Sequence, residues 1–342
     1  MAARILVIRR RYLGDLVLLG VLTRNLRLHW PGAEISVLAD PAYADVLGLN
    51  PDVNRIWPAP ARSWLALAWR LRRERFTHVF NLDNTERTAV VTRLTGAPFR
   101  LGLHHGAIPL KLRSFYSHAV CDPAERHESR PITEYYLEAL PPAGIPAASR
   151  EVRLEPREAD LSWIRRYVGA AGPVLLVHPG SRSPWRVWPL ERFAAVCDRA
   201  QDELGAAVVL AGGPGDADKI AGIKSAARSH LFSFSEPLSA PRFAALARLS
   251  AVMLGHDSGP MHVAAAVGTP VVALFGSQNS VLFRPAGDGH ILVQPPLPCV
   301  ECVAPERCAR ADSYHNLCVR RNGVEEVFAA VRRQWERVTK AA

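Results

Sequence analysis

Residues 251–276 read AVMLGHDSGPMHVAAAVGTPVVALFG. The run Ala251–Leu254 is apolar, as a buried strand requires, and it stops at Gly255. HDSGPMH, 256–262, is mostly polar or helix-breaking, and from Val263 the chain is again small and apolar. A strand, a polar turn and a buried helix, followed by the strand-like PVVALFGS (270–277), spell a βαβ unit and hence a parallel sheet. Within the turn, Gly259 permits close backbone approach and Pro260 suits a first helical turn. The N–H groups and positive end of that helix can hold a phosphate. Asp257 and Ser258 can hydrogen-bond a ribose or cap the helix, and His262 lies in the first turn. A plain N-capped helix is the alternative that this segment alone leaves open.

The same alternation extends both ways. RILVIR (4–9), EISVLAD (34–40) and THVFNLD (77–83) read as strands, with a helix near 16–28 and the amphipathic SWLALAWRLRRERF (63–76) between them. In the second half, PVLLVHPG (173–180) and AAVVLAGGPGD (206–216) are strands, and PLERFAAVCDRAQDEL (189–204), PRFAALARLS (241–250) and GVEEVFAAVRRQWERVTK (323–340) are helices. At 342 residues the chain exceeds what one core usually supports. PPAGIPAAS (141–149) is the best linker candidate. The expected organisation is two Rossmann-like α/β domains facing a central cleft, 1–150 and 151–322, with a terminal helix at 323–342.

Polar, glycine-bearing loops recur at the carboxyl ends of the second-half strands, where open α/β sheets bind ligands. HPGSRSPWRVWP (178–189) offers Gly180, Ser181 and Arg186. GGPGD (212–216) offers Asp216 for a ribose diol, and FGSQNS (275–280) is a further loop of this kind. Capping alone does not explain so many, and a nucleotide-diphosphate site does. No G-x-G-x-x-G follows the first strand and no G-x-x-x-x-G-K-[ST] occurs, which argues against a dinucleotide oxidoreductase and a P-loop NTPase. In the first half, RRRYLGDL (9–16) places Arg9, Arg11, Gly14 and Asp15 at a strand end. Asp15 is either a helix cap or a carboxylate that can deprotonate an acceptor hydroxyl. Asn81, Asp83 and Arg87 of NLDNTER (81–87) are candidate acceptor contacts.

The net charge is +10, and residues 1–150 hold 20 Lys and Arg against 13 Asp and Glu. That suits an anionic partner or a basic solvated surface. The basic WRLRRERF (69–76) is open to two readings, a solvated helix face and docking on an anionic membrane. No apolar run is long enough to cross a bilayer, and the N-terminal apolar stretch is too short for a signal peptide, so a cytoplasmic protein is expected, in peripheral contact with the inner membrane if it docks. Cys299, Cys302, Cys308 and Cys318 form C-x₂-C-x₅-C-x₉-C. In a cytosolic setting that spacing points to a structural zinc or iron site, or to reduced thiols, before disulfides. Cys121 and Cys197 read as core residues.

HDSGPMHVAAAVGTPVVALFG resembles the signature of glycosyltransferase family 9, the ADP-heptose:lipopolysaccharide heptosyltransferases; RILVIRRRYLGDLVLLGVL and HPGSRSPWRVWPLERFAAV are similar to two further family segments. The resemblance implies a GT-B fold, an inverting transfer without a required cofactor, an ADP-sugar donor and an anionic glycolipid acceptor. By position it implies Asp15 as general base, and Arg186 where the family usually has a diphosphate-pairing Lys. It puts Asp216 at the ribose and Asp257, Ser258 and Gly259 beside the phosphates. A related branch, the autotransporter-protein heptosyltransferases, uses a Cys-based iron site, so protein O-heptosyl transfer is an alternative. A nucleotide-sugar epimerase or hydrolase on the same fold is another. That reading and a nucleic-acid-binding protein both rank below the transferase, and no aromatic–basic recognition motif accompanies the charge.

Overall fold

The computed structural model describes residues 3–106, 108–169, 172–297, 299, 302, 308 and 316–340. The chain divides into two compact units, Met1–Glu155 and Pro156–Ala342. The first is built on β1 (Arg4–Ile8), β2 (Glu34–Ala39), β3 (Arg55–Pro58), β4 (His78–Asn81), β5 (Phe99–His105) and β6 (His118–Asp122), all parallel, in the order β3-β2-β1-β4-β5-β6. The second holds β7 (Val174–His178), β8 (Ala207–Leu210), β9 (Phe232–Ser233), β10 (Val252–His256), β11 (Val271–Leu274) and β12 (Ile291–Val293), again parallel, in the order β12-β11-β10-β7-β8-β9. Numbered within its own unit, each sheet therefore has the doubly wound order 3-2-1-4-5-6.

Continuous apolar runs make these strands because helices cover both faces. Leu6, Ile8, Leu38 and Val79 pack with Leu67, Ala68 and Leu71 of the Trp64–Arg73 helix. In the second unit Trp188, Phe193, Leu254 and Val272 share a core with Val327, Phe328, Val331 and Trp335 of the Val324–Thr339 helix. The terminal helix, expected as a separate piece at 323–342, is thus a core element of the second unit. The Leu190–Leu204 helix ends at Gly205, whose φ of 63° is the left-handed conformation such caps require.

Local features differ in detail from the expected ones. The first compact unit runs to Glu155, past the expected domain end at 150, and includes the 141–149 linker candidate. Ser149 and Asn25 exchange two hydrogen bonds (2.7 and 2.9 Å), and Glu155 N donates to Leu49 O (2.8 Å), tying this stretch along the first unit. Residues 124–137 form two short helices, Ala124–Glu128 and Ile132–Leu137, separated before Pro131 because proline disfavours helical backbone at Arg130. Cys121 is exposed on β6, an edge strand, whereas Cys197 is buried as expected. Among the described residues no helix is long and apolar enough to cross a membrane.

Candidate functional site

In each sheet the winding reverses between the first and fourth strands, so the loops that leave them diverge and open a crevice at their carboxyl ends. In the first unit those strands are β1 and β4, and the loops are Arg9–Tyr12 and Leu82–Thr85. Asp15 is the third residue of the Leu13–Leu18 helix that follows β1. Arg9 Nη2 (2.5 Å) and the Tyr136 hydroxyl (2.9 Å) donate to its Oδ1, and Tyr12 N donates to its Oδ2 (2.8 Å). Tyr136 is fully buried, and that burial holds its phenol far above the usual range, so it stays protonated and donates. A carboxylate accepts about four hydrogen bonds. Three are used, and Asp15 keeps part of its surface open. The contact to Tyr12 N is a helix-start contact, and the carboxylate stands just beyond the carboxyl end of β1.

The arginine cluster is paired. Arg9 holds Asp15, Arg10 Nε donates to Asp83 Oδ2 (2.6 Å), and Arg11 Nε donates to Asp40 Oδ2 (2.6 Å). Asp83 and Arg11 therefore reach the crevice as ion-pair members, and Gly14 lies on the helix beside Asp15. Asn81 does not serve as an acceptor contact. It is completely buried, its amide donates to Thr92 Oγ1 and the Tyr116 hydroxyl (both 3.0 Å), and its carbonyl accepts from Asp83 N (3.0 Å). Arg87 is exposed at the second position of the helix that follows β4 and, among the described residues, makes no contact to the Asp15 group.

In the second unit the reversal falls between β7 and β10. The loop after β7 carries Gly180, Ser181 and Arg186, and β10 runs into Asp257 and the Gly259–Ala266 helix. Arg186 Nη1 donates to Asp257 Oδ1 (3.3 Å), while Asp257 Oδ2 is buried without a hydrogen-bond partner among the described residues. Burial pushes the Asp257 carboxyl up to about 7, and the Arg186 charge only partly opposes it. Ser258 is the N-cap residue of the helix, its Oγ turned back to His256 O (3.4 Å), and His262 is buried within the first turn. Ser181 Oγ accepts from Ser183 N (3.3 Å).

Asp216 is held by its own loop, accepting from Gly213 N on Oδ2 and from Lys219 Nζ on Oδ1 (both 2.9 Å). Gly180 must be glycine here, since a Cβ would lie 2.2 Å from Asp216 Oδ2. Two buried histidines frame the crevice and escape sequence reasoning. His256 Nε2 accepts from Trp188 N (2.9 Å), which leaves its Nδ1–H facing Gly180 O (3.4 Å), and burial drives its pKa down to about 3. His178 is buried with Nε2 4.0 Å from Asp216 Oδ2. Tyr136 was equally silent, and Lys219 had only its i+3 spacing from Asp216 as a signal.

The four clustered cysteines were expected as a structural metal site or as reduced thiols. Cys299 is exposed, Cys302 and Cys308 are half-buried, and Cys318 is buried on the Leu317–Arg320 helix; all four are free thiols. Among the described residues no group of three or more Cys, His, Asp or Glu is placed to hold a metal. Burial, with smaller contributions from Cys308 and Cys299, raises the Cys318 thiol.

The model of glycosyltransferase family 9 (heptosyltransferase) matches residues 64–310. The chain is 27% identical over 299 residues to lipopolysaccharide heptosyltransferase 3 of Escherichia coli, covering 82% of this chain and 86% of that protein. A solved family 9 glycosyl transferase from Veillonella parvula superposes with a TM-score of 0.83 at 23% identity, over 98% of both chains. E. coli ADP-heptose lps heptosyltransferase II superposes with a TM-score of 0.80 at 22% identity, over 99% of this chain and 100% of that one. The family match spans well over half of the chain and the two doubly wound sheets are those of the GT-B fold: the chain is a glycosyltransferase and belongs to family 9, the heptosyltransferases.

Proposed function

We propose that the protein moves a heptose from an ADP-sugar to a hydroxyl of an anionic glycolipid acceptor of the lipopolysaccharide-core type, with inversion at the anomeric carbon. Asp15 takes the acceptor proton as that oxygen attacks, the bond from the anomeric carbon to the diphosphate oxygen breaks, and ADP departs as an anion. The scheme uses no metal and no organic cofactor. The observation that carries it is the Asp15 carboxylate at the switch point of the first sheet, oriented by three donors and still able to accept a fourth hydrogen bond. The likeness to heptosyltransferases of E. coli that act in lipopolysaccharide synthesis supports the donor and acceptor class.

The donor half of the scheme rests on Arg186, Asp257, Ser258 and Gly259. Arg186 neutralises the diphosphate as ADP leaves, and the helix start at Gly259 adds its dipole. Gly180, Ser181 and His262 line the same crevice, and Asp216 keeps acceptor capacity for a ribose hydroxyl beside its two present donors. Arg186→Ala is expected to weaken ADP-heptose binding by about ten- to a hundredfold, the worth of one charged hydrogen bond. Titration calorimetry with unchanged affinity would remove Arg186 from the site.

Asp257 sets a pH dependence. Its carboxyl is poised at about 7 in the folded protein, so raising the pH replaces a neutral group by an anion next to the bound diphosphate. Donor affinity should therefore fall as pH rises through about 7, and the Asp257→Asn variant should show a flat profile over that range. The same raised pKa makes this group's contribution to stability fall across the window from the usual carboxylate range up to about 7. Wild-type affinity that is level from pH 6 to 8 would contradict the assignment.

A further inference from the structure

The Trp64–Arg73 helix has a second face that the transfer chemistry does not use. Its inner side, Leu67, Ala68 and Leu71, is buried on the first sheet. On the outer side Leu65 and Trp69, four residues apart and so on one stripe, are 67% and 68% exposed. Arg70, Arg72 and Arg73 are exposed around them. Arg72 Nη1 reaches Leu94 O (3.5 Å), which brings the exposed Leu94 of the Glu86–Leu94 helix to the same patch. No acidic residue occurs between Asp52 and Glu74, and the Glu74 carboxylate is engaged by Arg4 (2.6 Å) and Arg55 (3.0 Å). Among the described residues, the exposed tryptophan–leucine stripe is thus ringed by arginines that enter no ion pair.

We propose that this face docks the protein on an anionic lipid bilayer, with Trp69 and Leu65 entering the headgroup–acyl boundary and the arginines on the lipid phosphates. Charge selects this occupant. A second copy of the same face would set arginines against arginines, and a nucleic acid backbone offers no apolar phase for Leu65 and Leu94. A basic helix with Trp and Leu on one side is the composition that lies in a membrane interface, and Trp is an interfacial residue by virtue of its amphipathic ring. The inference is independent of the sugar transferred and of the Asp15 assignment.

The test is sedimentation of the full chain with phosphatidylcholine vesicles, with and without phosphatidylglycerol. Binding is expected only to the anionic vesicles, weakening with salt. Arg70→Gln and Arg73→Gln should each lower the partition coefficient by about fivefold. Leu65→Ser with Trp69→Ser should lower it by roughly tenfold or more. All four side chains are exposed, so the melting curve and ADP binding of each variant should match wild type and separate lost docking from lost folding. Equal binding to neutral vesicles, full binding by the double variant, self-association that Trp69→Ser abolishes, or displacement from vesicles by an oligonucleotide would each overturn the proposal.

Discussion

Asp15→Asn is expected to lower turnover by about 10²–10⁴-fold, the usual contribution of a positioned base, with ADP-heptose affinity unchanged by calorimetry. The substitution is nearly isosteric, so Arg9 and Tyr136 keep an oxygen to donate to at the Oδ1 position. What disappears is the ability to take a proton from the attacking hydroxyl. In the proposed scheme donor binding rests on Arg186 and the turn after β10, which belong to the second unit, whereas Asp15 belongs to the first. Acceptor-dependent rate and donor affinity therefore separate in this variant. Near-normal turnover would place the base elsewhere. A parallel collapse of donor binding would instead mean that the first unit is misfolded, and a thermal melt distinguishes that case.

Arg130→Met is expected to destabilise the first unit by about 3–5 kcal/mol, the cost of removing one partner from a buried ion pair. The Asp122 side chain is completely inaccessible, with Arg130 Nη2 at 2.6 Å and His127 Nδ1 at 3.3 Å. Burial pushes the His127 pKa down, so the imidazole is neutral and, among the described residues, Arg130 is the charged group paired with Asp122. Removing it also takes one of two arginines from Glu138, losing Arg130 Nη1 at 2.8 Å and leaving Arg126 Nη2 at 2.5 Å. Asp122→Asn added to Arg130→Met should recover much of the loss, because the orphaned charge is gone. An exposed pair such as Lys340–Glu336 is worth far less, since water solvates both partners when they part. Urea denaturation giving a loss below about 1 kcal/mol for Arg130→Met would show that Asp122 finds another partner or takes up a proton.

Much of the architecture is written locally. A parallel strand buried on both faces must be a short apolar run, so RILVI, VLLVH and VMLGH announce themselves, and Gly, Pro and Asp mark where each run ends. The loops at those ends are where a doubly wound sheet leaves its crevice, so the strand-end placement of Asp15, Arg186 and Asp257 was legible too. What stayed hidden is where each polar group finds its partner. The Asn81 amide goes to Thr92 and to Tyr116, which lies on the far side of β5, and the same strand-end position that suggested a ligand contact made it a buried strut. Tyr136 sits in an unremarkable helix more than a hundred residues from Asp15, and only the fold brings its hydroxyl there. The first compact unit runs past the expected domain end for a related reason: proline and glycine report backbone stiffness, whereas the unit follows the hydrogen bonds of Asn25 and Leu49. The cysteine spacing suggested a ligand set, but spacing says nothing about whether a thiol such as Cys318 ends up under a core.

Each six-stranded sheet is drawn from one uninterrupted stretch of polypeptide, with no strand borrowed from the other half. Every pairing in the leading sheet, including the central β1–β4 contact, is available once Glu155 has cleared the ribosomal exit tunnel. At roughly 5–20 residues per second, the rest of the chain then takes on the order of ten to forty seconds to be translated. Small domains fold in about a second or less, so the nascent amino-terminal half matures while its sequel is still being synthesised, and a ribosome stalled midway would display a finished domain.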